Sequence, residues 1–199
     1  MPRPARLAAS LLLASVVALP APARAEVLDY DYVYLSREGS ASGESGNGAA
    51  GGFKTFGDHT HLFASFDDTG FYAGSHEDWD YDLRTLRLGI GGHYRLGERT
   101  MIAPSVAVFR SRGEVMAPGW MAPRDLDGTG SILEVDLRHA VTDWLELVGG
   151  ARRTRFAGES WTELVGGVMF HANDTWALGA LYHDREGERS TELTVRYYY

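Results

Sequence analysis

Two short stretches carry side chains that could activate a water molecule. The stretch "HEDWD" places Asp78 and Asp80 two residues apart, and "YHDRE" places His183 beside Asp184. Paired acids and an acid–histidine couple can take a proton from water and so promote hydrolysis. Two solvated loop ends would carry the same residues. Hydrolysis at the rim of the fold is therefore the third of three functions that the sequence permits.

Acidic residues also offer oxygen ligands for a metal ion. Asp78, Asp80 and Asp82 alternate, so they could face one way and hold calcium. The stretch "RDLDGTGSILE" has acids at the spacing of a calcium-binding loop, but Pro123 occupies the first ligand position. The charged base of a loop explains these acids better, and the chain has no cysteine. We therefore predict no metal site and no cofactor.

Charged residues recur at every second position through much of the chain. In "SILEVDLRH", Glu134, Asp136 and Arg138 alternate with leucine and valine. A period of two places the charged side chains on one face of a strand and the apolar side chains on the other. The residues that we assign to charged faces are Asp29, Asp31, Arg87, Glu134, Asp136, Arg138, Glu146, Arg152, Glu163 and Arg196.

Opposite charges on neighbouring strands should neutralise one another. The expected pairs are Arg138 with Glu146, Arg152 with Glu163, and Arg196 with Asp29 and Asp31. Such pairs would fill the interior of a narrow barrel. The alternative is a narrow polar channel for ions or small solutes, in which glycines leave space. The glycines in question are Gly89, Gly91, Gly150 and Gly167.

The basic cluster "ARRTRF" lies partly on an apolar face. Arg153 and Arg155 fall on that side of their strand, and Arg110 does so on another strand. We expect all three to point toward lipid near the membrane surface, where an arginine costs less than in mid-bilayer. There, guanidinium groups could bind the phosphates of lipopolysaccharide. The alternative is that they simply snorkel toward water.

Ten alternating segments, separated by turn residues, must position these groups. The tight connections lie at about 57–60, 96–99, 140–143 and 172–174, and the long polar ones at about 38–47, 68–80 and 112–127. Tight turns at one end, longer loops at the other and an even number of strands are typical of a membrane barrel. We predict an all-β fold, a transmembrane antiparallel up-and-down β-barrel of ten strands, with eight strands as the alternative.

The amount of charge favours a membrane barrel over a soluble one. A soluble core rarely holds so many charges, whereas a membrane barrel keeps them in its lumen and turns leucine, valine and tyrosine toward lipid. In the first strand, this arrangement turns Tyr30, Tyr32 and Tyr34 outward. Aromatic residues should form two interfacial bands. They are Tyr94, Trp144, Phe170, Trp176, Tyr197 and Tyr199 at the tight-turn end, and Tyr34, Phe156, Trp161 and Tyr182 at the loop end.

The first 25 residues have the pattern of a secretory signal peptide. Arg3 and Arg6 precede a short apolar run, and a small-residue "ARA" ends at Ala25. Residues 26–199 then form the barrel as one domain. The segment 1–25 holds three of the 19 basic residues and none of the 27 acidic ones, so the mature part is strongly acidic. Binding to nucleic acid, which needs a basic surface, is not expected.

The final stretch, "TELTVRYYY", places Leu193, Val195, Tyr197 and Tyr199 on one face. This ending resembles the C-terminal signature of bacterial outer-membrane barrels. The resemblance implies recognition by the barrel-assembly machinery and insertion into the outer membrane of a Gram-negative cell. "LDYDYV", "HLFASFDD" and "LRLGIGGHYRLGERT" are similar to stretches of small proteobacterial barrels, and the mature chain as a whole resembles the OmpX/OmpA-type barrels.

The sequence therefore predicts a monomeric or weakly associating, non-enzymatic barrel with a structural or surface-interaction role and a lumen largely plugged by charged pairs. Its expected partners are outer-membrane lipid, lipopolysaccharide and, during insertion, the assembly machinery. A narrow passive channel is the alternative function. The third is a rim hydrolase, because the ten-stranded omptin proteases use paired aspartates and an Asp–His couple at the outer rim. This chain is shorter than those proteases, which leaves less barrel to hold such a cleft.

Overall fold

The computed structural model describes residues 28–40, 46–72, 80–116, 124–125 and 127–199. The predicted signal peptide, residues 1–25, lies outside these ranges, and so does Asp78. No helix within them is long and apolar enough to cross a membrane.

Ten long strands follow one another along the described part of the chain. They are β1 (Tyr32–Ser40), β2 (Gly46–Phe56), β3 (Thr60–Tyr72), β4 (Asp80–Gly92), β5 (Thr100–Met116), β6 (Gly128–Ala140), β7 (Leu145–Phe156), β8 (Glu159–His171), β9 (Trp176–Arg185) and β10 (Glu188–Tyr198). Two short strands, Tyr94–Arg95 and Arg124–Asp125, pair with the two ends of β5. The prediction of ten strands is confirmed, and the alternative of eight is wrong.

Each strand pairs antiparallel with the next, and β10 returns to pair with β1. That closing register runs from Tyr32 opposite Tyr198 to Ser40 opposite Ser190. The barrel is therefore closed, without a free sheet edge, as the sequence predicted. The turns β2–β3, β4–β5, β6–β7 and β8–β9 lie at one end, here called the turn end. The other five connections lie at the opposite end, the loop end.

Two of the loop-end connections are only two residues long. Ala157 and Gly158 join β7 to β8, and Glu186 and Gly187 join β9 to β10. All four residues have positive φ angles, 52° and 87° in the first turn and 53° and 96° in the second. This is the backbone of a type I′ hairpin, which matches the twist of the strands that it joins.

The outer surface of the barrel is apolar and the inner surface is polar. Val108 and Leu193 are each 64% exposed on the outside, whereas Arg138 is 2% and Glu146 is 0% exposed inside. This is the reverse of a soluble protein, and it is the alternation expected of a barrel surrounded by lipid. Outward aromatic pairs sit near the turn end, where Trp144 stacks on Phe170 and Trp176 meets Tyr197 edge-on.

The first strand has the opposite orientation to the one expected from its sequence. β1 begins only at Tyr32, and Tyr32 and Tyr34 face the lumen while Val33 and Leu35 face outward. Tyr32 lies opposite the inward Tyr198, so the pairing leaves no choice of face. Of the aromatic band predicted at the loop end, Tyr182 does face outward, with 45% of its surface exposed, but the other three members do not. Tyr34, Phe156 and Trp161 all line the lumen instead.

Neighbouring groups fill the space beside the inward glycines. A side chain on Gly89 would overlap the ring of Phe63, and one on Gly91 would lie 2.5 Å from the ring of His61. Gly167 faces the backbone of β9 in the same way. Of the glycines expected to leave open space, Gly89 and Gly91 therefore serve as sockets for aromatic side chains, and Gly167 lets the backbone of β9 approach closely.

We predict that Gly89→Ala destabilises the barrel, because a methyl group there must displace the Phe63 ring. Overpacking of this kind costs about 1–3 kcal/mol. In a Phe63→Ala background, the same change should cost almost nothing. Urea unfolding of the refolded protein, followed by tryptophan fluorescence, measures both. Gly166→Ala is the matched control, since a side chain there meets no atom within 4 Å. If Gly89→Ala lowers the free energy of unfolding equally in both backgrounds, Gly89 does not act as a socket for the Phe63 ring.

Candidate functional site

A row of alternating charges crosses half of the lumen wall, one residue from each of β6 to β10. Glu134 Oε1 lies 2.7 Å from Arg152 Nη2, and Arg152 Nη1 lies 3.7 Å from Glu163 Oε2. Glu163 Oε1 is 2.7 Å from His183 Nδ1, and His183 Nε2 is 3.2 Å from Glu192 Oε2. These five residues, here called the charge ladder, are inward positions brought side by side by the strand register.

The charge ladder contains the predicted pair of Arg152 and Glu163, and it also contains His183, which the sequence pattern places with Asp184 at the rim. Arg152 does meet Glu163, although its shorter contact is to Glu134. His183 points into the lumen, whereas Asp184 points outward and accepts a hydrogen bond from the Gly187 amide. The two therefore do not form the acid–histidine couple of a hydrolytic site. Extending the two-residue alternation along β9 would have placed His183 inside from the sequence alone.

A second polar cluster fills the lumen near the turn end. Arg138 donates from Nε and Nη2 to the two carboxylate oxygens of Glu146, at 2.5 and 2.9 Å. His171 Nε2 lies 3.0 Å from Glu146 Oε2, and Arg138 also donates to the hydroxyl of Tyr198 at 3.4 Å. We call these four residues the basal cluster. The expected Arg138–Glu146 pair is present, and Glu146 has no exposed surface.

The segment before β1 enters the barrel beneath this cluster. Residues 28–31, here called the N-terminal plug, include Leu28 and Tyr30, which are both buried. The Tyr30 ring stacks on His61 at 4.7 Å and on His93 at 5.3 Å between ring centres. Arg138 donates to the Asp29 carbonyl at 2.9 Å, which links the plug to the basal cluster.

The plug is also fastened to the strands around it. The Asp31 carboxylate accepts hydrogen bonds from the Thr55 amide at 2.6 Å and from the Lys54 ammonium. Burial acts to raise the pKa of this carboxyl, but the hydrogen bonds from Lys54 and Thr55 outweigh burial and lower it. Asp31 is therefore ionised at neutral pH, and its charge holds the segment in place. The Tyr199 amide donates to the Asp31 carbonyl at 3.2 Å.

The expected contact of Arg196 with Asp29 and Asp31 is absent. Asp31 is held at the turn end by Thr55 and Lys54, and Asp29 accepts the amide of Asp31 at 3.1 Å. Arg196 instead lies over the ring of Tyr32, 4.7 Å from its centre. The cause is that both acids precede β1 and belong to the plug, whereas β1 itself presents Tyr32 to Arg196.

Above the plug, the lumen holds a cavity of about 880 Å³ that reaches the loop end. The charge ladder forms one wall. The other carries aromatic rings together with Asp67 and Arg87, whose charges are 3.8 Å apart. The aromatic side chains of the lining are Tyr30, Tyr32, Tyr34, Phe53, Phe63, Phe109, Phe156 and Trp161, and the last two stand on β7 and β8, the strands of Arg152 and Glu163. A cavity of this size, with convergent polar groups, suits a small ligand in the mouth of a barrel.

Two residues of opposite charge type in this cavity lack an ion-pair or hydrogen-bond partner within the described part of the chain. Among the residues that the structure describes, none forms an ion pair or hydrogen bond with Asp136 or Arg196, although both line the cavity. Gly150 makes room for Asp136, because a side chain there would lie 2.6 Å from its Oδ1. In the described ranges, no group of three or more acidic or histidine residues is arranged to hold a metal ion.

The remaining predicted residues lie on the outer surface. Arg110, Arg153 and Arg155 are exposed near the loop end of β5 and β7. Arg153 is engaged there, since it donates to Thr162 at 3.1 Å and to Ser160 at 2.8 Å on β8. The C-terminal residues Leu193, Val195 and Tyr197 face outward on β10. Tyr199 follows the strand and packs beneath Lys54, which lies 5.0 Å from its ring centre.

No protein-family model and no curated protein matches this chain. Solved structures share its fold. The KdgM porin has a TM-score of 0.54 at 7% identity, covering 84% of this chain and 99% of that one. The NanC porin has a TM-score of 0.53 at 6% identity, covering 84% and 100%. The translocator domain of the autotransporter NalP from Neisseria meningitidis has a TM-score of 0.52 at 11% identity, covering 98% and 96%.

At these identities the likeness concerns the fold alone. It agrees with the closed all-antiparallel barrel described above, and the matched structures are outer-membrane barrels. The OmpX/OmpA-type resemblance and the C-terminal assembly signature stay predictions.

We predict that Arg138→Met lowers the free energy of unfolding by about 3–5 kcal/mol, because it leaves the Glu146 carboxylate buried without the guanidinium that balances its charge. The double variant Arg138→Met with Glu146→Leu should recover much of this loss, since both charges are then absent. Arg99→Met is the control. Its exposed contact with Asp143, at 3.6 Å, should be worth less than about 1 kcal/mol. A double variant as unstable as the sum of the two singles would contradict the prediction.

Proposed function

We propose that this chain is an outer-membrane protein with a surface-interaction role and a lumen closed toward the periplasm. The observation that carries the proposal is the N-terminal plug, which enters the barrel and bonds to the basal cluster through Arg138. The apolar outer face, the predicted export signal and the fold shared with outer-membrane barrels support the location. The protein acts without a cofactor and without catalysing a reaction.

The orientation follows from the two kinds of connection. Outer-membrane barrels keep short turns in the periplasm and longer loops outside the cell. The turn end, with the plug and the basal cluster, would then face the periplasm. The cavity would open to the outside, where a ligand or the surface of another molecule could enter it. The outward ridge of Leu193, Val195 and Tyr197 suits recognition by the assembly machinery during insertion.

A narrow passive channel is the second candidate. Asp136 and Arg196 favour it, because an acid and a base that form no ion pair among the described residues of the bore would attract ions of either sign. Two of the structures that share the fold are named porins. For conduction, however, the plug would have to leave the turn end. The two functions therefore differ first in whether residues 28–31 stay in the bore.

Conductance in a planar bilayer separates the two candidates. We expect the refolded mature protein to be silent and a variant lacking residues 26–31 to give ohmic steps that scale with salt concentration. Asp31→Asn, which keeps the bulk of the plug but removes the charge held by Lys54, should open only intermittently. Insertion is checked in every case by protection of the strands from an added protease.

Two results would contradict this account. Steady conductance of the intact protein would favour the channel. Silence of both the intact and the shortened protein would mean that the basal cluster closes the bore without the plug.

A further inference from the structure

Four outward arginines without partners lie near the loop end on one side of the barrel. We call them the arginine patch: Arg84 on β4, Arg110 and Arg112 on β5, and Arg155 on β7. All four are exposed, and within the described ranges none forms an ion pair or a hydrogen bond. The inward charges, in contrast, are mostly paired with neighbours from adjacent strands.

The strand register makes this patch unfavourable by itself. Arg84 lies directly opposite Arg112 in the β4–β5 pair, and Arg110 lies opposite Leu86, two residues along. Like charges directly opposite each other destabilise a sheet. Asp68 lies opposite Arg84 on the other side, without ion-pair contact. An anion from outside the chain would remove this repulsion.

A groove adjoins the patch on the outer surface, with a volume of about 560 Å³. Arg110 and Arg155 stand on its two sides. Between them, β6 carries only short side chains, because Thr129 lies opposite Arg110 and Ser131 lies opposite Arg155. The groove therefore lies between two long arginine side chains, and the hydroxyl groups of Thr129 and Ser131 form part of its floor. Its apolar lining includes Leu86, Leu88 and Val108.

We propose that the arginine patch and this groove bind one molecule of lipopolysaccharide in the outer leaflet. A guanidinium presents parallel N–H donors that fit phosphate oxygens, so one phosphate lies between Arg110 and Arg155. An acyl chain runs along Leu86, Leu88 and Val108, where the barrel already faces hydrocarbon. A second phosphate near Arg84 and Arg112 offsets their repulsion. The proposal rests on the orientation given above, which places the loop end in the outer leaflet.

Arg153 does not belong to this site, although it lies in the same sequence cluster. Its guanidinium is directed toward β8 by Ser160 and Thr162, away from the groove on β6. A soluble anion is a poorer occupant than a lipid, because most of the groove lining is apolar and lies on the outer face of the barrel. Several arginines in one patch also suit a headgroup with more than one phosphate better than a phospholipid with one.

The test is binding of purified lipopolysaccharide by the mature protein in phosphatidylcholine bilayers. We expect Arg110→Gln with Arg155→Gln to weaken the apparent affinity at least tenfold. The control is Arg37→Gln with Arg189→Gln, which removes the same charge from outward positions of β1 and β10 and should change the affinity less than twofold. Thr129→Leu with Ser131→Leu, which fills the groove but keeps every arginine, should weaken binding at least threefold.

Stability gives a second and independent readout. Arg112→Gln should raise the unfolding midpoint in pure phosphatidylcholine, where the repulsion from Arg84 is not offset. With lipopolysaccharide present, the same change should lower the midpoint, because it removes a contact to the lipid. A change of the same sign in both bilayers would overturn the role of these two residues.

Three further results would overturn the proposal. They are equal losses in the patch variant and the control variant, unchanged binding in the filled-groove variant, and equally tight binding of phosphatidylglycerol, which would make the site one for any anionic phospholipid. Insertion is verified first by protease protection. A protein that inserts but does not bind lipopolysaccharide contradicts this inference alone, whereas a protein that does not insert contradicts the proposed function.

Discussion

The pairing of β1 with β10 is the contact on which the rest of the structure depends. Lipid offers the backbone no hydrogen-bond partner, so a sheet in a membrane must have no free edge. The register from Tyr32–Tyr198 to Ser40–Ser190 removes that edge. The same register orients β1, because Tyr198 and Arg196 face the bore and the residues opposite them must do so too. Closure and the lining of the lumen are thus decided by one set of hydrogen bonds.

Inside the barrel, the chain satisfies its own charges. Adjacent strands provide partners at the same height, as for Arg138 with Glu146 and Arg152 with Glu134. A buried ion pair adds little to the stability of the fold, but a buried charge without its partner lowers that stability strongly. The pairs therefore disfavour any other register of the strands, because another register would separate the partners. The outer face is different. Its arginines contact lipid and water rather than other parts of the chain. How much they destabilise the protein therefore depends on the lipid composition of the membrane.

The strands and most of the faces could be predicted from the sequence. β6, β8 and β10 each have one charged and one apolar side, and only one orientation suits lipid. Pairs across short turns, such as Arg138 with Glu146, were also predictable, because a short turn fixes which residues oppose one another. These inferences need only local information.

Features that depend on distant parts of the chain could not be predicted in this way. In β1 the alternation identifies a strand, but tyrosines on one side and valine, leucine and aspartate on the other do not show which side is inside. The answer comes from β10, more than 150 residues away. The alternation of apolar and polar residues also extends back to Leu28. The sequence therefore did not indicate that the strand begins at Tyr32 or that residues 28–31 form a plug. Likewise, no local pattern shows which ring fills the socket at Gly89.

The two hairpin turns at the loop end give the barrel an uneven rim. The connections β7–β8 and β9–β10 have two residues each, whereas those between β1 and β6 at this end are longer. Both short turns stand above strands that carry the charge ladder. On its charged side the mouth of the cavity is therefore bordered by short turns, and Phe156 and Trp161 flank the first of them. A molecule that enters over the β7–β8 turn passes these two rings before it reaches Arg152 and Glu163 below them, so an aromatic or apolar edge is met ahead of the charges.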